Sequence, residues 1–106
     1  MMGFAPTLAV ERLLARTGMT MNDLDVIELN EAFAAQVVAV IRATGMSDEQ
    51  VKPNGGAIAF GHPVGATGAI LTVKLVHDLR DRNLTRGMVT LCIGGGQALA
   101  AIFERI

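Results

Sequence analysis

The chain has no tryptophan, no tyrosine, one cysteine and three prolines among its 106 residues. Each shortage removes a class of function. Without Trp or Tyr there is no platform for stacking bases, and the nine basic and ten acidic residues are scattered without a stripe, for a net charge of −1. Both facts argue against nucleic-acid binding. A lone cysteine cannot form an internal disulfide, which fits a reducing compartment, most simply a cytoplasmic one. The longest apolar run, Ala32 to Ile41, is interrupted by Gln36 and is far too short to span a bilayer. No cationic, apolar leader opens the chain. Two histidines and one cysteine lack the spacing of a metal site. The glycines at 61, 65 and 68 miss the dinucleotide pattern, and neither a phosphate loop nor a Gly-x-Ser-x-Gly elbow is present.

What is abundant is aliphatic. The hydrophobic fraction is 51% with only four aromatics, so any core is built of Leu, Ile, Val, Ala and Met. The length allows one domain, 1–106, that buries about 60–70% of the surface its unfolded chain exposes. The apolar content is high for so small a domain and points to surface meant for another domain or subunit.

Thr7 to Thr17 reads as an amphipathic helix with Val10, Leu13 and Leu14 on one face, Pro6 near its start and Gly18 past its end. Asp25 to Leu29 is a short strand. Asn30 is placed to cap a helix from Glu31 to about Thr44, closed by Gly45 and apolar almost all round. Lys52 to Gly68 is an irregular, glycine-rich centre of the kind that usually carries function. A third helix, Gly68 to Arg82, has Lys74, His77, Asp78 and Asp81 as its polar stripe. Met88 to Ile93 and Ala98 to Glu104 are strands joined around Gly94-Gly95-Gly96-Gln97. The fold class is α/β, with helices packed on a small sheet.

Two residues sit where reactive chemistry is usually held. His62, in Gly61-His62-Pro63, is either a helix-capping loop histidine or an imidazole that takes a proton or bonds an oxyanion. Cys92, ahead of Gly94-Gly95-Gly96, is either a small buried hydrophobe or a thiol beside an anion-binding turn. Asn30 is a cap by default, although its amide at a strand–helix junction can also orient a water or a carbonyl. Phe33 is more often core than substrate wall, His77 is a solvated surface residue, and Asn54-Gly55-Gly56 is first a turn signal.

Four segments together resemble the C-terminal part of a thiolase. They are Met2-Gly3-Phe4-Ala5-Pro6, Glu28-Leu29-Asn30-Glu31-Ala32-Phe33-Ala34, Asn54 to Gly68 with its Gly61-His62-Pro63, and Leu91-Cys92-Ile93-Gly94-Gly95-Gly96. The resemblance spans essentially the whole chain. It implies cleavage of 3-ketoacyl-CoA by CoA, or the reverse condensation, with coenzyme A as substrate and no bound cofactor or metal. It also implies roles. His62 activates a nucleophilic cysteine and donates to the thioester oxyanion, and Asn30 holds a water that completes that hole. Cys92 moves the proton at the α-carbon, and the Gly94 N–H stabilises the tetrahedral oxyanion of the acyl-enzyme. Ala32, Phe33 and Met2 line the pantetheine and acyl channel.

The same resemblance marks what is missing. Thiolases carry the acylated cysteine in an N-terminal domain, Cys92 matches the other cysteine, and no residue here stands in for the first. The CoA-gripping loop domain and the first strand of the C-terminal domain are absent as well. The expectation is an incomplete thiolase C-terminal domain, inactive alone, that forms a homo-oligomer or complements an N-terminal thiolase segment. The alternatives are a non-catalytic interaction module for thiolase-like subunits and, last, a Cys92–His62 hydrolase.

Overall fold

Gly18 and Gly45, with φ of 69° and 73°, take the left-handed conformation that ends a helix without the strain a Cβ brings there. They close α1 (Ala5–Thr17) and α2 (Ala34–Thr44) at the residues the sequence indicates. The structure, a computed structural model, describes residues 4–51, 55–63, 65–94 and 97–106. Between the two helices lie a 3₁₀ turn, Met21–Asp23, and β1 (Val26–Leu29). The short α3 (Ala57–Phe60), α4 (Thr67–Asp81), β2 (Arg86–Gly94) and β3 (Gln97–Glu104) follow. The irregular centre therefore holds one turn of helix that sequence periodicity does not predict, because four residues are too few to show a period.

The sheet has the order β1-β2-β3. β1 runs parallel to β2 with Val26 opposite Gly87 and Leu29 opposite Thr90, and β2 runs antiparallel to β3. The sheet is small and three-stranded, as expected from the sequence, and its pairing is mixed. Its two faces carry two cores. Ile27, Leu29 and Met88 pack with Val10 of α1 and with Val37 and Val40 of α2. Val26 and Val89 pack on Leu71, Leu75 and Leu79 of α4. β1 is buried along its whole length, as a parallel strand covered on both faces must be.

Two expectations change. The third helix does not present Lys74 and Asp78 to water: Asp78 is buried, and the Lys74 ammonium reaches the buried Glu28, whereas His77 and Asp81 are exposed. Spacing alone shows which residues share a stripe, not whether a buried acid waits across the interface. The second helix begins at Ala34 rather than Glu31, with extended Phe33 as its N-cap residue and no side-chain cap. Asn30 is therefore not a capping residue.

At Gly87 the packing of α4 against the sheet leaves no room for a side chain. A Cβ there lies 2.4 Å from Leu75 Cδ1 and 3.1 Å from Val26 Cγ1, both on fully buried residues. Gly87→Ala is expected to destabilise the domain by about 1–3 kcal/mol, as overpacking does. Denaturant midpoints of the two proteins check this.

Candidate functional site

Because β1 and β2 are parallel, the residues after Leu29 and Thr90 emerge at the same end of the sheet. Ligands of open α/β sheets bind at that carboxyl end. The Asn30 N–H donates to the Thr90 carbonyl oxygen at 3.0 Å, which continues the ladder one residue beyond the strand. The alternation that turns Val26 and Glu28 toward α4 turns Asn30 there too. Its side chain is 1% exposed, and neither Oδ1 nor Nδ2 has a partner among the described residues. Leaving a buried polar group unbonded costs about 1–3 kcal/mol. The amide lines a cavity of about 60 Å³ with Gly56, Gly61, Pro63, Thr67 and Lys74, room for a water or two.

The glycine-rich segment reaches this cavity because Val51 forms a parallel bridge with Ile27 on the outer edge of β1. The Ile27 N–H donates to the Gln50 carbonyl at 2.7 Å, and Gln50 Nε2 donates to the Leu24 carbonyl at 2.6 Å. The bridge runs parallel to β1, and Gly56 farther along the chain lines the Asn30 cavity. There Glu31 Oε2 accepts the Ile58 N–H at 2.9 Å. Gly56 lies so close to the same carboxylate that a Cβ on it falls 2.7 Å from Glu31 Cδ. No other residue type fits at 56 while Glu31 holds that position.

His62 follows Gly61, whose φ is 88°. Its Nδ1 lies 2.6 Å from Thr67 Oγ1, and the Thr67 hydroxyl donates to the Pro63 carbonyl at 3.1 Å. When the hydroxyl proton points to the Pro63 carbonyl, Thr67 Oγ1 accepts from His62 Nδ1–H. The Nε2 lone pair of the exposed ring is then free to take a proton. Thr67 is buried and opens α4, so the imidazole is oriented by a helix terminus rather than by its own loop.

Cys92 stands two residues beyond Thr90 on β2, partly exposed and paired with Ala98. Met88, which shares its strand face by alternation, packs on the α1 and α2 side. The structure therefore gathers Asn30 with the His62 loop and leaves Cys92 outside that cavity, toward the opposite face. Gly94 ends β2 opposite Gln97, after a bulge that follows Cys92. Phe33 is 64% exposed, so it belongs to no core here, and Ala32 beside it is half-buried. Met2, Asn54 and Gly95-Gly96 lie outside the described residues. No group of three His, Cys, Asp or Glu able to hold a metal occurs among the described residues, and no helix is long and apolar enough to cross a membrane.

Sequence reasoning passes over Thr67, Glu31, Glu28 and Lys74. Glu28 alone carries a visible signal, a charge in the middle of Val-Ile-Glu-Leu. Burial drives the Glu28 carboxyl up, the hydrogen bond from Lys74 opposes that, and the hydrogen bond with Asp78 adds to it; the result is a rise from the ordinary 4.5 to about 7.

The family model described as thiolase, C-terminal domain matches residues 1–105. The chain is 54% identical to the beta-ketothiolase BktB of Cupriavidus necator over 105 residues, covering 99% of this chain and 27% of that protein. It is 50% identical to the 3-ketoacyl-CoA thiolase of Bacillus subtilis over 103 residues, covering 97% and 26%. With the 3-ketoacyl-CoA thiolase of Shewanella sp. strain MR-4 the identity is 48% over 108 residues, covering 99% and 28%. The chain thus spans about a quarter of the length of these relatives.

Two outcomes follow from the geometry. Thr67→Val is expected to cost about 1 kcal/mol and to release His62 from its single Nδ1–H tautomer, read from the imidazole ¹⁵N shifts. Because the raised native pKa of Glu28 means that the unfolded chain ionises first, the stabilisation Glu28 contributes is fully present below pH 4.5 and is lost as pH rises to about 7. Glu28→Gln removes that contribution, and urea unfolding at pH 5 and pH 8 measures it.

Proposed function

The chain belongs to the thiolase family, as a thiolase C-terminal domain, and on that premise we propose that it supplies one wall of an acyltransferase site that cleaves or forms 3-ketoacyl-CoA through an acyl-cysteine intermediate. The reading is carried by one observation: a buried Asn30 amide without a partner among the described residues shares its cavity with the loop of a histidine whose Nδ1 is bonded to Thr67, leaving Nε2 without a partner among those residues. Coenzyme A thioesters are the substrates, and no resident cofactor is required.

Forming a carbanion next to a thioester needs donors where charge gathers and a base at the α-carbon. Asn30 Nδ2 holds a water in the cavity, and that water and His62 point at the thioester oxygen. In its neutral state His62 Nε2 takes the proton of a nucleophilic cysteine supplied from outside these 106 residues. Protonated, the same nitrogen donates to the oxyanion. Cys92 exchanges the α-carbon proton once substrate and the nucleophile-bearing part bring that carbon to it, and the Gly94 N–H serves the acyl-enzyme oxyanion. The exposed Phe33 and half-buried Ala32, with Met2, line the channel for the pantetheine arm and acyl chain. Half-exposed Val73 and Val76 on α4 and Leu99 on β3 form apolar surface that suits association with that other part or with a second subunit.

Acting alone the chain lacks the nucleophile. Purified and given acetoacetyl-CoA and CoA, it is expected to show no turnover and no acyl adduct by intact mass. Joined to the Cupriavidus enzyme in place of that protein's matching segment, it is expected to restore thiolysis. His62→Ala in the joined protein should lower kcat by about 10²–10⁴-fold. A folded but inactive joined protein, or turnover with an adduct on Cys92 in the chain alone, refutes the reading.

A further inference from the structure

The cation of Lys74 sits between the two halves of the candidate site. Its Nζ is 3.1 Å from Glu28 Oε2, with the Glu28 side chain fully buried and that of Lys74 18% exposed. The same ammonium donates to the Gly55 carbonyl. Glu28 lies two residues before Asn30 on the same face of β1, and Gly55 opens the segment that ends in His62. Lys74 also lines the cavity into which the Asn30 amide faces. A second tie runs parallel to the first: Glu31, directly after Asn30, accepts the Ile58 N–H three residues beyond Gly55.

Stability is a weak explanation for this arrangement. A buried ion pair gives up solvation that its mutual attraction only partly returns, and an apolar pair of similar volume is often as stable or more so. A methionine at 74 would complete the apolar side of α4 beside Leu71 and Leu75. What it cannot do is bond a carboxylate and a carbonyl at once, which an ammonium with three donors can.

We infer that Lys74 is a positioning residue of the site: by bridging Glu28 and the Gly55 carbonyl it sets the distance between Asn30 and the segment that carries His62. The inference rests on the thiolase reading for its kinetic consequence, and on geometry alone for its structural one. Lys74 touches neither substrate nor reacting atoms; it acts through Asn30 and His62.

The structural consequence is read on the chain itself by amide hydrogen exchange at Ile58. Lys74→Met is expected to speed exchange at Ile58 by about tenfold while Val89 in the sheet stays protected. Lys74→Arg, which keeps a charge and several donors, should recover most of the protection. Removing the Lys74 charge leaves Glu28 and its bonded Asp78 without their cation, so Glu28→Gln/Lys74→Met, which removes one carboxylate together with the ammonium, serves as the folded control. Unchanged Ile58 exchange in that folded double variant overturns the inference. In the joined thiolase, Lys74→Met should lower kcat about ten- to a hundredfold with KM within about twofold, as misplaced catalytic groups do. An unchanged kcat overturns the inference as well. An inactive joined wild type, with Ile58 still responding to Lys74, faults the functional reading and leaves the bridge supported.

Discussion

Four buried residues, Val26 to Leu29, pair in parallel with Gly87 to Thr90, and the placement of every candidate group follows from that pairing. A parallel pair has one carboxyl end, and both strands deliver their following residues there. Asn30 is carried in from one strand and Cys92 from the other. On the outer edge of β1 the parallel bridge at Val51 guides the glycine-rich segment the same way. An antiparallel β1 would send Asn30 to the far end of the sheet from Cys92. Asp25 guards the start of the pairing: its Oδ2 accepts the Thr85 and Arg86 N–H groups at 2.9 and 3.0 Å, and those two bonds hold its carboxyl below the usual range.

The interior of so small a domain is unusually polar near this end. Glu28, Asn30, Glu31, Thr67, Asp78 and Thr90 are all buried. Some of these groups are satisfied by structure alone, as when the Thr90 hydroxyl donates to the Leu99 carbonyl. Others are not: the Asn30 amide has no partner among the described residues. A buried polar group without a partner is a cost in the folded state that a bound water removes, and the cavity beside Asn30 has room for one.

Features written in local chemistry were legible in the sequence. The glycine stops at 18 and 45, the short strand ahead of Asn30, the apolar periodicity of α4 and the two C-terminal strands all emerge with ends within about three residues of those observed. His62 and Cys92 stood out as candidate reactive residues from their neighbours, and Asn30, a cap by default, gained its site role from the family resemblance. Illegible were the features made by two distant segments meeting. Lys74 and Asp78 read as a solvated stripe because helical spacing has no knowledge of Glu28, 46 residues earlier than Lys74. Asn30 read as a cap because Asn before an apolar run usually is one. The helix starts at Ala34 instead, since the extended backbone at Phe33 separates the strand end from the first turn. Thr67 was silent because its bond is made to a ring five residues away.

The division of labour across the sheet has a physical reason. Side chains alternate along a strand, so Asn30 and Cys92, on neighbouring strands and out of phase, address opposite faces. Asn30 and the His62 loop share the α4 side, where Thr67, Glu31 and Lys74 hold them by bonds of definite direction. Cys92 has no such brace among the described contacts; its place is set by β2 and by the bulge before Gly94, which turns the strand where the glycines begin. Donors that stabilise charge need fixed positions, since their value depends on distance and angle to an oxygen. The side chains braced by directed bonds accordingly lie on the α4 and β1 side, and the thiol without such a brace among the described contacts lies at the end of β2.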